Sequence, residues 1–369
     1  MKIVFSTDQI HLHGGIEKVL AEKANYFADE VGYEVIILTC EQKGKKPCYP
    51  LSAKIQLMDL GIDYHREKSY FSPANLFKIP NHFFKLNQIL QQLEPDAVIV
   101  SNFGFDYYGM PFFYNKAKKI KEFHSSRYFD AVARSQNKSI IKKLMYQFND
   151  WIESKYDHLV VLNKDEVPYY KSDAVVVIPN PISIPKETAL LDNKQAVAAG
   201  RISAVKGFDQ LIKAWKIVHS KVPEWELHIY GEDYVGTRKQ LEILIEENDL
   251  DQVVYFKGSS SNMTKTFQDY SLYALSSVTE CFPMVLLESL AVGLPIVSFD
   301  CPNGPRNIIS DKEDGLLAEN QNIADLAKKI LHLMQNQQQR KLFGKNAKQN
   351  SLQFSTSVVM KQWVNLLHS

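Results

Sequence analysis

A chain of 369 residues is longer than one hydrophobic core ordinarily serves, so two domains of roughly 150 to 200 residues are expected. Hydrophobic residues make up 45% and charged residues 23%, and 43 Lys+Arg against 42 Asp+Glu leave a formal charge of only +1, which provides no field for holding nucleic acid. Cys40, Cys48, Cys281 and Cys301 are scattered without a Cys-x-x-Cys, which argues against a zinc ribbon or a redox pair and suits a reducing, cytoplasmic setting.

The opening MKIVFST carries one Lys and a short apolar run that halts at Ser6-Thr7-Asp8; this is the pattern of a buried strand, not of a signal peptide. Nowhere does an uninterrupted apolar run reach the length of about eighteen residues that a membrane span needs. Next comes QIHLHGGIEK (9–18), which supports two readings. His11 and His13 could be a metal-binding pair, or Gly14-Gly15 could be a bare turn that receives a phosphate just ahead of the helix-like run 16–30. EVIILTC (34–40), DAVIVS (96–101) and HLVVL (158–162) follow as further apolar runs, separated by amphipathic stretches such as 137–155. Short β-branched runs alternating with helical segments predict parallel strands with crossover helices. KEFHSSR (121–127) sits at the end of a strand-like KIKEF and places His124 there.

Three prolines interrupt VVVIPNPISIPKE (175–187), where no helix can form, and a domain boundary is expected near residue 183. The second half repeats the α/β habit with QAVAAG, ELHIYG, VVYFKG, LYALSS and LPIVSFD, each ending at Gly, Ser or Asp. Helices are expected over 322–335 and 338–350, and a last amphipathic segment over 354–367 after a Ser-Thr-Ser start signal.

Ligands of open α/β sheets bind beyond the carboxyl ends of the strands, so the residues just after each run matter most. In AAGRISAVKGFDQLIKAW (198–215) a strand ends at Gly200, and Arg201 and Lys206 follow in the loop. A guanidinium fork plus an ammonium point charge suits a diphosphate; a solvated loop is the plain alternative. In TECFPMVLLESLAVGLPIVSFDC (279–301), Pro283 fits a first helical turn, with the helix ending before Gly293. The amides of Met284, Val285 and the neighbouring Leu286 would then point out of the helix start toward an anion. Glu280 falls in the loop and Glu288 on an otherwise apolar helix, where an acid needs a partner. Gly231 of IYGED and Lys257-Gly258 of YFKG close two further strands, and CPNGPRNII (301–309) is another rigid turn after a strand.

Taken together, ECFPMVLLE resembles the E-x7-E signature of retaining glycosyltransferases of family 4, GRISAVKG resembles their Arg and Lys pair, and HGGIEKV resembles their N-terminal glycine loop. DCPNGPRNII and DGLLAE are similar to the stretch that follows in bacterial members that build capsule, lipopolysaccharide and other surface glycans. The resemblance implies an α/β protein of GT-B architecture, with two Rossmann-like α/β/α domains facing a central cleft. Residues 1–182, joined by a returning helix in 354–369, would form the acceptor-binding domain and 183–353 the nucleotide-sugar domain. It further implies that Glu288 binds a ribose, Glu280 the hydroxyls of the donor sugar, and Arg201 and Lys206 the diphosphate, with the amides of Met284 and Val285. Gly14 and Gly15 would approach the donor from the other domain, and His124 would touch the donor sugar near the reacting carbon. His13, Tyr107 and Arg127 are candidates for acceptor contact. IYGEDYVG lacks the Gly-x-Gly common in such members.

Cleaving a sugar–phosphate bond builds negative charge on the leaving diphosphate, toward which Arg201, Lys206 and the helix start are aimed. By the resemblance the donor is a nucleotide sugar, with UDP the expected nucleotide. No metal or other cofactor is implied, and no protein nucleophile is assigned. A metal-dependent hydrolase built on His11 and His13 would need further ligands at later strand ends, where Asn and Gly-Arg mostly stand. A nucleotide-sugar epimerase, or a non-catalytic sugar-nucleotide binding protein on the same fold, is the alternative function. The aromatic and basic stretch 64–85, with KKIKEF (118–123) and KSIIKKLMYQF (138–148) read as basic helical faces, leads us to expect peripheral attachment to the inner face of the cytoplasmic membrane. A lipid-linked saccharide is then the expected acceptor.

Overall fold

The computed structural model describes residues 1–369 apart from Tyr70 and Lys138, so the Tyr70 of the 64–85 stretch and the first residue of KSIIKKLMYQF lie outside the described residues. The chain divides into two compact units. Met1–Pro181 with Val359–Ser369 make unit 1, and Ile182–Val358 make unit 2.

Unit 1 holds a seven-stranded sheet of β1 (Lys2–Thr7), β2 (Glu34–Thr39), β3 (Gln56–Asp59), β4 (Ala97–Val100), β5 (Lys118–Glu122), β6 (His158–Val161) and β7 (Val175–Val177). Its order is β3-β2-β1-β4-β5-β6-β7, and every neighbouring pair is parallel. The central runs are apolar because both faces are covered. Val4, Ile36 and Val98 point into one core with Leu86 and Leu90 of the helix Ile79–Leu93. Ile3, Phe5 and Ile99 point into the other, with Phe27 of the helix Gly15–Asp29 and Trp363 of the helix Thr356–His368. The returning segment thus completes a three-layer α/β/α unit.

Unit 2 holds β8 (Gln195–Ala199), β9 (Glu226–Tyr230), β10 (Val254–Gly258), β11 (Leu272–Leu275), β12 (Ile296–Phe299) and β13 (Gly315–Ala318). They are parallel throughout, in the order β10-β9-β8-β11-β12-β13. This is the doubly wound pattern, whose strand order reverses between β8 and β11 and so opens a crevice at their carboxyl ends. Trp215, fully buried in the helix Phe208–His219, anchors one face. Leu286 and Leu290 of the helix Met284–Ala291 are fully buried as well.

The apolar runs read from the sequence correspond to β1, β2, β4, β6 and β8 to β12. Three other strands carried no such signal: β3 has largely exposed residues, β7 has no fully buried one, and β13 (GLLA) holds only Leu316 and Leu317 as large apolar residues. One reading is corrected. Residues 118–122 are strand β5, not a basic helical face, and Lys119 and Lys121 are buried. Lys121 Nζ donates to the carbonyls of Val100, Asn102 and Glu122 at 3.2, 2.6 and 2.8 Å. Three acceptors and an apolar stem let a lysine lie inside a sheet, and burial pushes its ammonium down to about 7.

Candidate active site

The strand order puts the loop after β8 beside the loop after β11, and their backbones are knit together. Val278 N–H donates to Val205 C=O at 2.8 Å, and Ser276 Oγ donates to Lys206 C=O at 3.0 Å. Gly207 sits at φ +61, and a Cβ there would lie 2.1 Å from the Ser276 carbonyl oxygen. Only glycine lets the first loop press this closely on the second. Tyr273 Oη, from β11, donates to Ala199 C=O at 3.1 Å and accepts from Ala199 N–H at 3.3 Å, fixing the end of β8.

This framework brings together two of the residues singled out in the sequence. Lys206 Nζ meets Glu280 Oε1 at 2.6 Å, with the side chains 20% and 10% exposed, and Ser277 Oγ donates to the same oxygen at 2.6 Å. Glu280 is held by its own backbone too, its N–H bonded to Pro302 C=O and its C=O accepting from Asn303 and Gly304. The 301–304 turn after β12 therefore sets the height of Glu280. Pro283 is the N-cap, one position before the first helical turn expected for it, and the helix runs Met284–Ala291. The amides of Met284 and Val285 head that helix and have no partner within it, and Leu286 N–H turns back to Pro283 C=O. Glu288, one turn on, is 4% exposed. Arg201 is exposed at the loop start. An ammonium on the loop after β8, with an exposed guanidinium at the start of that loop and a helix start on the neighbouring loop, has the chemistry to hold a diphosphate.

Gly231 and Gly258 lie in the same row of strand ends. Gly231 N–H donates to Gly258 C=O at 2.8 Å, and a Cβ on Gly231 would come 1.9 Å from Gly200 C=O. Lys257 is exposed over the Tyr255 ring. After Gly231 the loop is organised by Asp233, whose carboxylate accepts from the N–H groups of Val235, Gly236, Thr237 and Arg238. These backbone donors, Arg238 first, hold its carboxyl below the usual range against slight burial. Asp233 and Ser277 are features the sequence reading missed; only an Asp ahead of a short helix hinted at the former.

In unit 1, Gly14 caps the helix Gly15–Asp29 with φ −164, an extended backbone open to any residue, and neither Gly14 nor Gly15 has a positive φ. The loop before them is shaped by Gln9 Oε1, which accepts from the N–H groups of His11 and Leu12 at 2.7 and 2.8 Å. Burial, then Lys45, Lys43 and Arg66, lower the pKa of His11, and His13 packs edge-on to Tyr49. Among the described residues, the group with metal-ligand spacing is Cys40, His82 and Asp106, not His11 and His13. Its members are buried and bonded to each other, with Tyr64 on His82 and Ser6 on Asp106.

His124 has its Nε2 3.3 Å from Glu122 Oε2, and Glu122 is also paired with the buried Lys23 at 2.5 Å. Burial opposes the Glu122 charge, yet Lys23 and His124 outweigh it and hold the carboxyl well below its usual range. Tyr107 and Arg127, considered for acceptor contact, are instead core residues, 2% and 8% exposed. Both bond to the buried Glu153, the tyrosine at 2.8 Å, and Arg127 lies over the rings of Phe123 and Tyr170. A buried Glu requires such partners, so these two side chains support the fold around His124.

Two doubly wound units in series, the second with a helix start at its switch point, define the GT-B architecture. Residues 13–185 match the family model described as Glycosyltransferase Family 4, and residues 181–350 match Glycosyl transferases group 1. An uncharacterized glycosyltransferase of Haemophilus influenzae is 27% identical over 370 residues, covering 99% of each chain. The amylovoran biosynthesis glycosyltransferase AmsD of Erwinia amylovora is 24% identical over 383 residues, covering 100% of this chain and 99% of the relative. A crystal structure of S. aureus TarM in complex with fondaparinux, alpha-GlcNAc-glycerol and UDP matches with a TM-score of 0.80 at 18% identity, covering 100% of each chain. The chain belongs to the family 4 glycosyltransferases and is a glycosyltransferase enzyme. No helix among the described residues is long and apolar enough to cross a membrane.

Proposed function

We propose that the protein is a retaining, metal-independent glycosyltransferase. It would move a hexose or N-acetylhexosamine from a UDP-sugar to a lipid-linked or glycan acceptor in the synthesis of a cell-surface polysaccharide. The observation that carries this reading is the Lys206–Glu280 pair beside the helix start at Met284, at the switch point of the second sheet. Lys206, Arg201 and the amides of Met284 and Val285 receive the diphosphate and take up its growing charge as the sugar leaves. Glu288 accepts from the ribose hydroxyls and Glu280 from hydroxyls of the sugar. The acceptor attacks on the face the diphosphate leaves, and a phosphate oxygen takes its proton. His124, anchored by Glu122, contacts the sugar near the reacting carbon. Gly14 and Gly15, at the start of the helix Gly15–Asp29, would approach the donor, as in the family the chain resembles. The UDP in the TarM complex and the polysaccharide role in the name of AmsD support the donor and pathway class.

Calorimetry with UDP tests the phosphate role of Lys206. Removing a charge-assisted contact costs about 1.5–3 kcal/mol, so Lys206→Ala should bind UDP roughly ten- to a hundredfold more weakly, and unchanged affinity would remove that role. Transfer measured after exhaustive treatment with EDTA should equal that of the untreated enzyme. Loss that Mg²⁺ or Mn²⁺ restores would overturn metal independence.

A further inference from the structure

The helix Ile140–Glu153 is inverted. Its polar side is the buried one: Glu153 is 1% exposed and bonded to Arg127 and Tyr107, Asp150 is paired with Arg134 at 2.7 Å and Lys171 at 3.0 Å, and Arg134 lies over Tyr146. Its solvent side carries most of its large apolar residues. Ile140, Leu144, Phe148 and Trp151 recur at helical spacing with 75%, 59%, 49% and 47% exposure, and Ile141 beside them is 72% exposed. A monomer in water gains nothing from this arrangement, since these side chains would be buried by rotating the helix if the polar side were not tied down.

The exposed face continues across neighbouring elements as a ladder of rings. Phe71 meets Tyr108 at 6.5 Å, Tyr108 stacks on Phe148 at 6.0 Å, Phe148 on Trp151 at 5.8 Å, and Trp151 on Phe112 at 5.6 Å. The two stretches that carry it are basic. Residues 137–149 contain lysines and no acid, with Lys142 and Lys143 exposed, and residues 68–93, which carry the exposed Phe77 and Phe84, likewise contain lysines and no Asp or Glu.

We propose that this face docks on an anionic lipid bilayer, the helix Ile140–Glu153 lying in the headgroup boundary with Ile141, Leu144 and Phe148 inserted and Lys142 and Lys143 against lipid phosphates. A second copy of the chain would bring lysines against lysines across a two-fold axis, whereas an anionic surface neutralises them. The proposal deepens the reading of a lipid-linked acceptor, and rests on it for its biological sense. The aromatic ladder occupies the interfacial depth that Trp and Tyr rings favour.

Flotation of the full chain with phosphatidylcholine vesicles, with and without phosphatidylglycerol, tests it, alongside UDP-sugar hydrolysis without lipid. The wild type should float with the anionic vesicles, and the combined variant Ile141→Asp, Leu144→Asp, Phe148→Asp should bind at least tenfold less while hydrolysing donor at the wild-type rate. Lys142→Glu with Lys143→Glu should lose the preference for anionic vesicles. Flotation of the triple variant like the wild type would overturn the proposal. So would a wild type that ignores vesicles but sediments as a dimer that the triple variant dissociates, which assigns the face to a second copy. Flotation without donor hydrolysis in the wild type would leave the docking surface standing and fault the donor-site reading instead.

Discussion

Glu280→Ala should reduce sugar transfer by two to three orders of magnitude, the usual effect of deleting one polar group that acts on developing charge or on the reacting sugar. Thermal stability should move little, because among the described residues the side chain bonds Lys206 and Ser277, while the backbone at this position is fixed independently by Pro302, Asn303 and Gly304. The geometry raises a second explanation that the experiment must separate. Glu280 could serve only to aim the Lys206 ammonium. A double-mutant cycle decides between them: if Glu280 acts through Lys206 alone, the double variant with Lys206→Ala transfers as slowly as Lys206→Ala by itself. We expect a further loss in the double variant, with UDP affinity set by Lys206 and kcat by Glu280. Wild-type turnover in Glu280→Ala would remove the central assignment.

Gly207→Ala should be a severely damaging single methyl in unit 2. The left-handed φ of +61 costs a non-glycine residue about 1–2 kcal/mol, and the Cβ would stand 2.1 Å from a backbone oxygen that cannot swing aside. Together these should destabilise the unit by on the order of 3 kcal/mol, lowering Tm by roughly 6–12 °C for a unit of this size. Because Gly207 holds the Lys206 loop against the Ser276 strand end, UDP affinity should fall in parallel. Gly236 is the control: its φ is +77, but no atom lies within 4 Å of where its Cβ would be. Gly236→Ala should therefore show only the torsional cost. Equal melting temperatures for the two variants would mean that the close approach at Ser276 is unimportant.

The doubly wound fold is legible because its central strands are buried on both faces, so KIVFS, EVIILT and LPIVSF read as unbroken apolar runs. Edge strands such as β3 and β7 lack that burial and left no pattern. The proximity of Lys206 and Glu280, 74 positions apart, could be reasoned only from the habit of adjacent strand ends sharing a crevice; Ser277 and Tyr273, which hold the pair's framework, obey no spacing rule. Charge misled where it was equated with exposure. Lys119 and Lys121 sit inside unit 1 because carbonyls accept their hydrogen bonds, Tyr107 and Arg127 lie there to satisfy Glu153, and in Ile140–Glu153 periodicity revealed two faces without saying which one meets solvent.

The returning helix has a consequence for the order of manufacture. Unit 2 is one continuous stretch, while unit 1 is finished only by Val359–Ser369. Trp363, 1% exposed and 4.3 Å from the buried Lys23 ammonium, covers the face formed by Ile3, Phe5 and Phe27. During N- to C-terminal synthesis that face is laid down first and roofed last, after all of unit 2 has been made. At the ribosome's pace of about 5–20 residues per second, the first domain waits on the order of ten seconds or more with an open apolar side. The half that is born first is the half that matures second, and a chaperone's moment of greatest use falls in that interval.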